Sequence, residues 1–305
     1  MEAFRVAAVQ ATPVFMDRVA TVDKAIGLIR KAAKEGARLI VFPEAFVPTY
    51  PLWSWFLKPS QFDHIESLYS EYLDQSLTIP GPETAALGEV AKELGVFVVT
   101  GACERNVESS GGTLFNSLAF IGPDGSVIGK RRKLIATGAE RLVWGSGDGS
   151  TVGVVETALG RVAGLICWEN YMPLARYAMY AGGAEVILAP TWDQGEVWQA
   201  SMRHIAKEGR AYVVACANVI RREDIPERFG FREFLPEGWL NTGGSAIVDP
   251  EGTVIAGPLF REEGILYADL DPAILRGLKW NLDVAGHYAR PDVFTFSVDR
   301  TPRVP

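Results

Sequence analysis

Short, almost continuously apolar runs constrain the fold of this chain more than any other feature. The clearest are RLIVF (38–42), EVILA (185–189) and AYVVACA (211–217), each of strand length and rich in β-branched residues. Such runs are typical of strands whose two faces are both covered. Because amphipathic segments of helical period, such as 18–34, alternate with them, we expect an α/β chain with mixed sheets and flanking helices.

The opening β-α-β pattern gives way to hairpins further along the chain. The turn sequences GPDG (122–125) and DPEG (249–252) each separate two strand patterns, which predicts antiparallel pairing across them. No segment rich in proline, glycine or serine divides the 305 residues. We therefore expect a single domain over 1–305.

Composition excludes several classes of protein. With 48% apolar residues, 22% charged residues and a net charge of −7, the chain is expected to be globular, with no nucleic-acid partner. No apolar run reaches the roughly 18 residues of a membrane span, and the first ten residues read as a strand rather than a signal peptide. Three widely spaced cysteines argue against a disulfide framework and favour a reducing cytoplasm.

A cysteine stands where one of these strands ends. The strand RVAGLI (161–166) stops at Cys167, and a helical pattern begins at Tyr171. At such a turn a thiol lies beside the positive end of a helix dipole, which lowers its pKa and favours the thiolate. We therefore expect a reactive nucleophile at Cys167; the alternative is a small buried hydrophobic residue.

Two acidic residues lie in positions suited to a site. Glu44 directly follows RLIVF and Pro43, where burial raises a carboxyl pKa toward the range of a general base. Its alternative is a helix N-cap or a surface acid. Glu140 lies in the glycine-containing loop 137–141, and its alternative is an ion pair with a neighbouring arginine.

Lys133 ends the basic run 130–133. In an extended strand, alternate residues point to opposite sides, so Arg131 and Lys133 share one face while Lys130 and Arg132 share the other. One pair is then free to point inward while the other meets solvent or an acidic partner. The alternative is a fully solvated basic face.

Other hydrolytic and nucleotide chemistries lack their motifs. The three histidines do not form H-E-x-x-H, and no G-x-S-x-G elbow is present. The glycine-rich segment 145–150 is not followed by the G-K-[ST] of a phosphate loop. A serine hydrolase, a zinc hydrolase and a nucleotide-binding enzyme are therefore disfavoured.

Seven stretches together resemble the nitrilase family within the carbon–nitrogen hydrolase superfamily. They are FPEAFVPTYP (42–51), RRKL (131–134), ATGAERLVWGSGDGS (136–150), GLICWENYMPLARYAMY (164–180), HIAKEGRAYV (204–213), GGSAIVDPEGTVIAGP (243–258) and GHYARPDVF (286–294). The sequence Cys-Trp-Glu-Asn at 167–170 looks like a true nitrilase rather than an amidase.

The resemblance implies a fold, a set of site residues and an assembly. It implies a four-layer α-β-β-α sandwich and a Glu-Lys-Cys triad at Glu44, Lys133 and Cys167, with Glu140 as the family's second glutamate. It also implies a homodimer or higher homo-oligomer, in which we expect the segment 271–305 to take part in dimer packing. No metal or organic cofactor is required.

The implied reaction is hydrolysis of an organic nitrile to a carboxylic acid and ammonia through a cysteine thioimidate and a thioester. Backbone N–H groups near Trp168 are expected to assist Lys133 in stabilising developing charge. Two alternatives remain open: an amidase or carbamoylase of the same superfamily, and a catalytically silent scaffold of the same fold.

Aromatic residues near the motifs suggest a pocket for a hydrophobic nitrile substrate. Trp168 is the strongest candidate for a pocket wall, and Tyr50 and Trp192 are two further candidates. Trp53, Trp55 and Phe56 are near the same loops. For each of these residues the alternative is packing in the core or in a dimer interface.

Overall fold

A computed structural model of the chain describes residues 2–303. The last two residues of the predicted dimer-packing segment lie outside these described residues. The strands are β1 (Phe4–Gln10), β2 (Ala37–Val41), β3 (Phe97–Arg105), β4 (Leu114–Ile121), β5 (Val127–Arg132), β6 (Val154–Thr157), β7 (Gly160–Gly164), β8 (Val186–Thr191), β9 (Tyr212–Ala217), β10 (Val219–Arg221), β11 (Trp239–Val248), β12 (Val254–Phe260) and β13 (Gly264–Leu270). The α-helices are α1 (Arg18–Lys34), α2 (Trp53–Phe56), α3 (Phe62–Gln75), α4 (Pro82–Leu94), α5 (Pro173–Ala181), α6 (Glu196–Gly209) and α7 (Pro272–Leu278).

The strands form two mixed sheets. The first has the order β13-β1-β2-β3-β4-β5, with a parallel centre of β1, β2 and β3 and antiparallel strands on either side. The second has the order β10-β11-β9-β8-β7-β6, with a parallel centre of β7, β8 and β9, and β12 pairs with β11. The antiparallel hairpins predicted at 122–125 and 249–252 are confirmed as β4–β5 and β11–β12.

The layers follow from which apolar faces meet. Val41 and Leu118 of the first sheet pack in one core cluster with Val162 and Leu188 of the second, so the two sheets face each other. Helices α1 and α4 cover the outer face of the first sheet, and α5 and α6 cover the outer face of the second. The predicted four-layer α-β-β-α sandwich is therefore confirmed.

One local prediction differs from the structure, and one long helix was missed. The helix expected from Tyr171 begins at Pro173, because Cys167–Tyr171 forms a 3-10 turn first. Helix α3 was not predicted, although Leu68 and Tyr72, its two buried residues, stand four positions apart on one helical face. Within residues 2–303, no helix combines the length and apolar character needed to cross a bilayer.

Candidate active site

The candidate residues come together where several strands end at one edge of the two sheets. Glu44 follows β2 and Lys133 follows β5, both in the first sheet. Cys167 follows β7 in the second sheet and is the first residue of the 3-10 turn. Because β5 runs in the same direction as β2 across two antiparallel pairings, the carboxyl ends of β2 and β5 reach the same edge of the first sheet. Trp192 follows β8, the parallel neighbour of β7, and donates its backbone N–H to Glu44.

A buried network links two carboxylates through one ammonium group. Lys133 Nζ donates to Glu44 Oε1 and to Glu140 Oε2, each at 2.8 Å. The three side chains are at most 2% exposed. Asn116 Nδ2 donates to the same Glu44 Oε1 at 2.7 Å, and the backbone N–H of Trp192 donates to Glu44 Oε2 at 2.7 Å. The suggestion that Glu44 is a surface acid is therefore wrong.

Glu140 accepts hydrogen bonds from two further groups. The hydroxyl of Tyr50 donates to Oε1 and the backbone N–H of Thr137 donates to Oε2, both at 2.7 Å. With Lys133 as its cationic partner, the alternative of an ion pair with a neighbouring arginine is wrong. The indole of Trp55 donates to the Tyr50 hydroxyl at 3.0 Å, which extends the network toward the surface.

The thiol of Cys167 is placed by an unusual backbone shape. Its φ of +52° lies in the left-handed region, which residues other than glycine seldom adopt. Two following residues hold the turn. The amide of Asn170 donates to the carbonyls of Leu165 and Cys167, both at 2.8 Å, and Glu169 Oε2 accepts from the backbone N–H of Ile166 at 2.9 Å.

Glu169 also joins the cysteine turn to the basic segment. Its Oε1 accepts from Arg131 Nη2 at 2.7 Å and from the backbone N–H of Leu134 at 2.8 Å. Since Arg131 and Leu134 flank Lys133 on either side, one buried carboxylate sets the distance between the lysine segment and the Cys167 turn. This link spans the two sheets.

Burial sets the protonation states within the network. It raises the pKa of the Glu44 carboxyl, more than the Lys133 ammonium lowers it, and Glu140 adds to the rise. Burial opposes the charge on Lys133, but Glu44 and Glu140 outweigh it and hold the pKa of Lys133 above its usual value. The lysine is therefore a persistent cation, as two flanking acids lead one to expect.

The pKa of the Cys167 thiol moves in the direction opposite to the sequence-based expectation. Burial raises this pKa, and the negative charges of Glu44 and Glu140 raise it further, while Lys133 lowers it. The expected lowering by a helix dipole is wrong, because a single 3-10 turn provides little dipole and the side chain is only 4% exposed. The resting group is thus a thiol that needs a base to become a nucleophile.

The thiol opens into a cavity of about 210 Å³. Its walls are formed by the residues Tyr50, Trp55, Thr137, Glu140, Cys167, Trp168, Trp192, Asp193 and Gln194. Tyr50 and Trp192 stack with ring centroids 4.1 Å apart, and the half-exposed Trp168 indole donates to Asp193 Oδ2 at 2.8 Å. Trp53 belongs instead to a buried aromatic cluster with Tyr72.

Several contributing residues escaped the sequence analysis. Asn116 lies inside β4, Thr191 ends β8, and Asn218 Nδ2 donates to the backbone carbonyl of Glu44 at 2.9 Å. All three are buried polar residues within or beside apolar runs. A buried polar group needs a hydrogen-bond partner. A polar residue within or beside an otherwise apolar strand could therefore have indicated a contribution to a buried polar site.

The fold corresponds to that of the nitrilase superfamily. Nit3 of Saccharomyces cerevisiae, described as a member of branch 10 of that superfamily, superposes with a TM-score of 0.74 at 21% identity, covering 95% of this chain and 97% of Nit3. A carbon-nitrogen hydrolase from Helicobacter pylori G27 gives a TM-score of 0.74 at 20% identity, with the same coverage of both chains. At these identities the likeness concerns the fold.

The sequence comparison is more specific. The carbon-nitrogen hydrolase profile matches residues 5–279, and the chain belongs to the carbon-nitrogen hydrolase family. An aliphatic nitrilase of Sinorhizobium fredii (strain HH103) is 46% identical, over 99% of this chain and 98% of that protein. A bifunctional nitrilase/nitrile hydratase of Lupinus angustifolius is 42% identical, over 99% of this chain and 87% of that protein.

Proposed function

We propose that the protein is a nitrilase, which hydrolyses an organic nitrile to a carboxylic acid and ammonia with two molecules of water. The observation that carries this proposal is the thiol of Cys167 at a cavity surface, backed by the buried Glu44–Lys133–Glu140 network. The high identity to the nitrilases of Sinorhizobium fredii and Lupinus angustifolius over nearly the whole chain supports it.

Attack on the nitrile requires the thiol to lose its proton. Glu44 is suited to accept it, because its raised pKa brings a carboxylate closer to a thiol in basicity. The thiolate then adds to the nitrile carbon, and the proton that Glu44 accepted passes to the nitrile nitrogen, which gives a neutral thioimidate and leaves Glu44 free to act as a base again. Lys133, with the backbone N–H groups near Trp168, stabilises the charge that develops on nitrogen.

Two hydrations complete the reaction. A first water, deprotonated by Glu44, adds to the thioimidate carbon, and Glu44 returns the proton to the nitrogen. The tetrahedral intermediate then loses its hydroxyl proton to the same nitrogen and expels ammonia, which leaves a thioester. A second water cleaves the thioester and releases the acid and the free thiol. Glu140 orients Lys133 and balances its charge throughout, a role supported by their 2.8 Å contact.

The cavity favours a hydrophobic nitrile of modest size. Its aromatic walls at Tyr50, Trp168 and Trp192 provide flat apolar surfaces, which suit an aryl or aliphatic side chain. A volume of about 210 Å³ accommodates a small organic nitrile. We assign these three residues to substrate binding as part of the proposal.

Assembly and location complete the proposed function. We propose that residues 1–305 act as one catalytic domain and that the segment 271–305 packs in a homodimer or larger homo-oligomer. The apolar side chains exposed in its described part, including Trp280 at 85% and Phe294 at 73%, support this. Three unpaired cysteines are compatible with a reducing cytoplasm.

The proposed function is tested by ammonia release from a panel of substrates. The panel contains phenylacetonitrile, benzonitrile, mandelonitrile, an aliphatic dinitrile, cyanide and phenylacetamide. We expect release from organic nitriles and a loss of at least about 10³-fold in kcat for Cys167→Ala, because removal of a nucleophile abolishes the covalent route. Product amide is measured in parallel, since the Lupinus angustifolius relative is named as bifunctional.

Cys216→Ala is the matched control for this experiment. Cys216 is equally buried but lies in the core between the sheets, where its thiol donates to the carbonyl of Val9. The Cys216→Ala variant should therefore retain the nitrile-hydrolysing activity of the wild type. Release from phenylacetamide alone would move the protein to the amidases, and silence of the wild-type enzyme on every substrate would favour a scaffold. Full activity of Cys167→Ala would exclude the covalent scheme.

A further inference from the structure

A threonine at the end of β8 contacts the sulfur of the candidate nucleophile. Thr191 Oγ1 lies 3.3 Å from Cys167 Sγ and donates a hydrogen bond to it. The same oxygen accepts from the backbone N–H of Asp193 at 2.8 Å. The side chain is fully buried, so water does not compete for either bond.

These two contacts determine the direction of the hydroxyl hydrogen. A threonine hydroxyl has one hydrogen to donate and lone pairs that accept. Because the N–H of Asp193 occupies one lone pair, the hydrogen is turned away from Asp193. Within residues 2–303, the sulfur of Cys167 is the acceptor to which the Thr191 hydroxyl donates. The hydroxyl is thus oriented toward Sγ before any substrate arrives.

The charges around the sulfur make such a donor useful. The charges that act on Cys167 include those of Glu44, Lys133 and Glu140. Tyr50 and Tyr171 are ionisable neighbours whose own pKa is raised, in part by the charge of Cys167. The two carboxylates oppose formation of a further anion beside them. The Lys133 ammonium is already paired with both carboxylates at 2.8 Å, so their negative charges offset its attraction for a thiolate. A neutral donor aimed at sulfur adds stabilisation without adding charge.

We propose that Thr191 is a positioning residue of the proposed hydrolase, whose hydroxyl stabilises the Cys167 thiolate and aligns it for attack. A hydrogen bond to an ionised acceptor is roughly twice as strong as one between neutral groups. The bond therefore strengthens as the proton leaves the thiol, which lowers the barrier to nucleophile formation. This inference rests on the proposed function, in which Cys167 is the nucleophile.

The turn after β8 also fixes the Thr191 hydroxyl relative to Glu44, the proposed base. Trp192, the next residue, donates its backbone N–H to Glu44 Oε2 at 2.7 Å. The carbonyl of Thr191 accepts from the backbone N–H of Asn218 at 3.2 Å. One short segment thus contacts both the proton donor and the proton acceptor of the first step.

The test compares Thr191→Val with Thr191→Ser. Valine keeps the shape of threonine and removes the hydroxyl, whereas serine keeps the hydroxyl and removes a methyl group. Iodoacetamide alkylation of Cys167, followed by mass spectrometry across pH, reports the apparent pKa of the coupled Glu44–Cys167 pair. Steady-state kcat and KM on the best nitrile are measured for the same proteins.

If the Thr191 hydroxyl acts as proposed, the two variants should differ in a specific way in the apparent pKa of alkylation and in kcat. Thr191→Val should raise the apparent pKa of alkylation by about one unit and lower kcat about tenfold at neutral pH, with little change in KM. Thr191→Ser should stay close to wild type in both. The reverse order, with valine normal and serine impaired, would indicate a packing role and overturn the proposal, as would an unchanged pKa in Thr191→Val.

Two further comparisons keep the outcome decisive. If Thr191→Val does not fold, Thr191→Ala replaces it, because alanine and serine both lack the methyl group and differ only in the hydroxyl. If iodoacetamide inactivates the wild-type enzyme without modifying Cys167, the proposed function itself fails. If iodoacetamide modifies Cys167 with the same pH profile in the wild type and in all variants, the role of Thr191 is overturned while the proposed function stands.

Discussion

Two residues of the candidate site, the proposed nucleophile and the neighbour of Glu44, have a backbone conformation that is unfavourable for residues with a side chain. Ala45, which follows Glu44, has a φ of +47°, and Cys167 has a φ of +52°. Such conformations cost on the order of 1–3 kcal/mol each and persist only where the surroundings hold them. Both residues are buried, and the backbone is hydrogen bonded there, because the carbonyls of Cys167 and Glu44 accept from the amides of Asn170 and Asn218. Strain here coincides with the candidate site.

Gly101 allows the Glu44 loop to take its position. A Cβ atom at residue 101 would lie 2.1 Å from the carbonyl oxygen of Pro43 and 2.8 Å from the Cα of Glu44. Because both contacts are with backbone, Gly101→Ala must displace the loop. We expect destabilisation of about 1–3 kcal/mol and a fall of about 10²-fold in kcat, since displacements near 1 Å have that effect. Urea unfolding and steady-state kinetics measure the two quantities.

Gly27→Ala is the matched control for that substitution. Gly27 lies within α1, and nothing would be within 4 Å of an added Cβ. We expect a gain of about 0.5–1 kcal/mol in the free energy of unfolding, because alanine favours helix over glycine, and an unchanged kcat. Normal kcat in Gly101→Ala would show that the loop adapts and that the close approach is not needed.

Strand β5 shows how alternation along one element separates structural from functional groups. Lys130 and Arg132 both bind Glu104, at 2.7 Å each. Arg131 points the other way to Glu169, and Lys133, just beyond the strand, reaches Glu44. The predicted division of the basic run into two faces is confirmed, and one face does meet an acidic partner. The alternative of a solvated basic face is wrong.

Glu104 stabilises the first sheet in a way that depends on pH. Although burial alone raises its pKa, hydrogen bonds from Arg132, Lys130 and Ser117 outweigh burial and lower it. A lowered folded-state pKa stabilises the protein above the unfolded-state value of about 4.3, and this stability is lost as pH falls through the folded-state pKa. We expect Glu104→Gln to lower the free energy of unfolding by about 3 kcal/mol at pH 7.

Denaturant titrations at pH 7 and at several pH values well below about 4.3 test this expectation. The difference between wild type and Glu104→Gln should shrink on the acid side, because the wild-type carboxyl becomes protonated there. Glu93→Gln, which removes an exposed partner of Arg30, should change little at either pH. A pH-independent difference for Glu104→Gln would contradict the charge-based explanation.

At the scale of the whole molecule, the candidate site depends on the stacking of two sheets. Glu44 and Lys133 come from the first sheet, and Cys167 and Thr191 come from the second. Glu169 bridges them through Arg131. Neither sheet alone contains a base and a nucleophile, so the proposed chemistry requires the complete sandwich.

The exposed C-terminal segment is the basis of the expected assembly. We predict that Trp280→Glu combined with Phe294→Glu splits the oligomer and so reduces the molecular mass in solution. Both wild-type side chains expose large apolar areas, and a glutamate at either position would oppose burial in an interface because its charge favours water. Sedimentation velocity measures the mass. Phe62→Glu, at an equally exposed position on α3, is the control and should leave the mass unchanged. An unaltered mass in the double variant would place the interface elsewhere.

The sequence by itself determined most of the elements, their order and the family, although it missed helix α3. Apolar runs, helical period, turn motifs and the alternation of the basic segment are properties of neighbouring residues, so they are readable without contacts. The motif stretches also pointed to Glu44, Lys133, Glu140 and Cys167, which the structure brings into one cluster. Their catalytic roles remain predictions.

Only the tertiary structure decided the environment of those residues. The hydrogen bond from Thr191 to Cys167 joins residues 24 positions apart, and the contact between Lys133 and Glu44 joins residues 89 positions apart. The pKa of Cys167 depends on burial and on charges from distant segments, and it moved opposite to the local expectation for that reason. Local sequence determines what each strand presents, while packing determines what it meets.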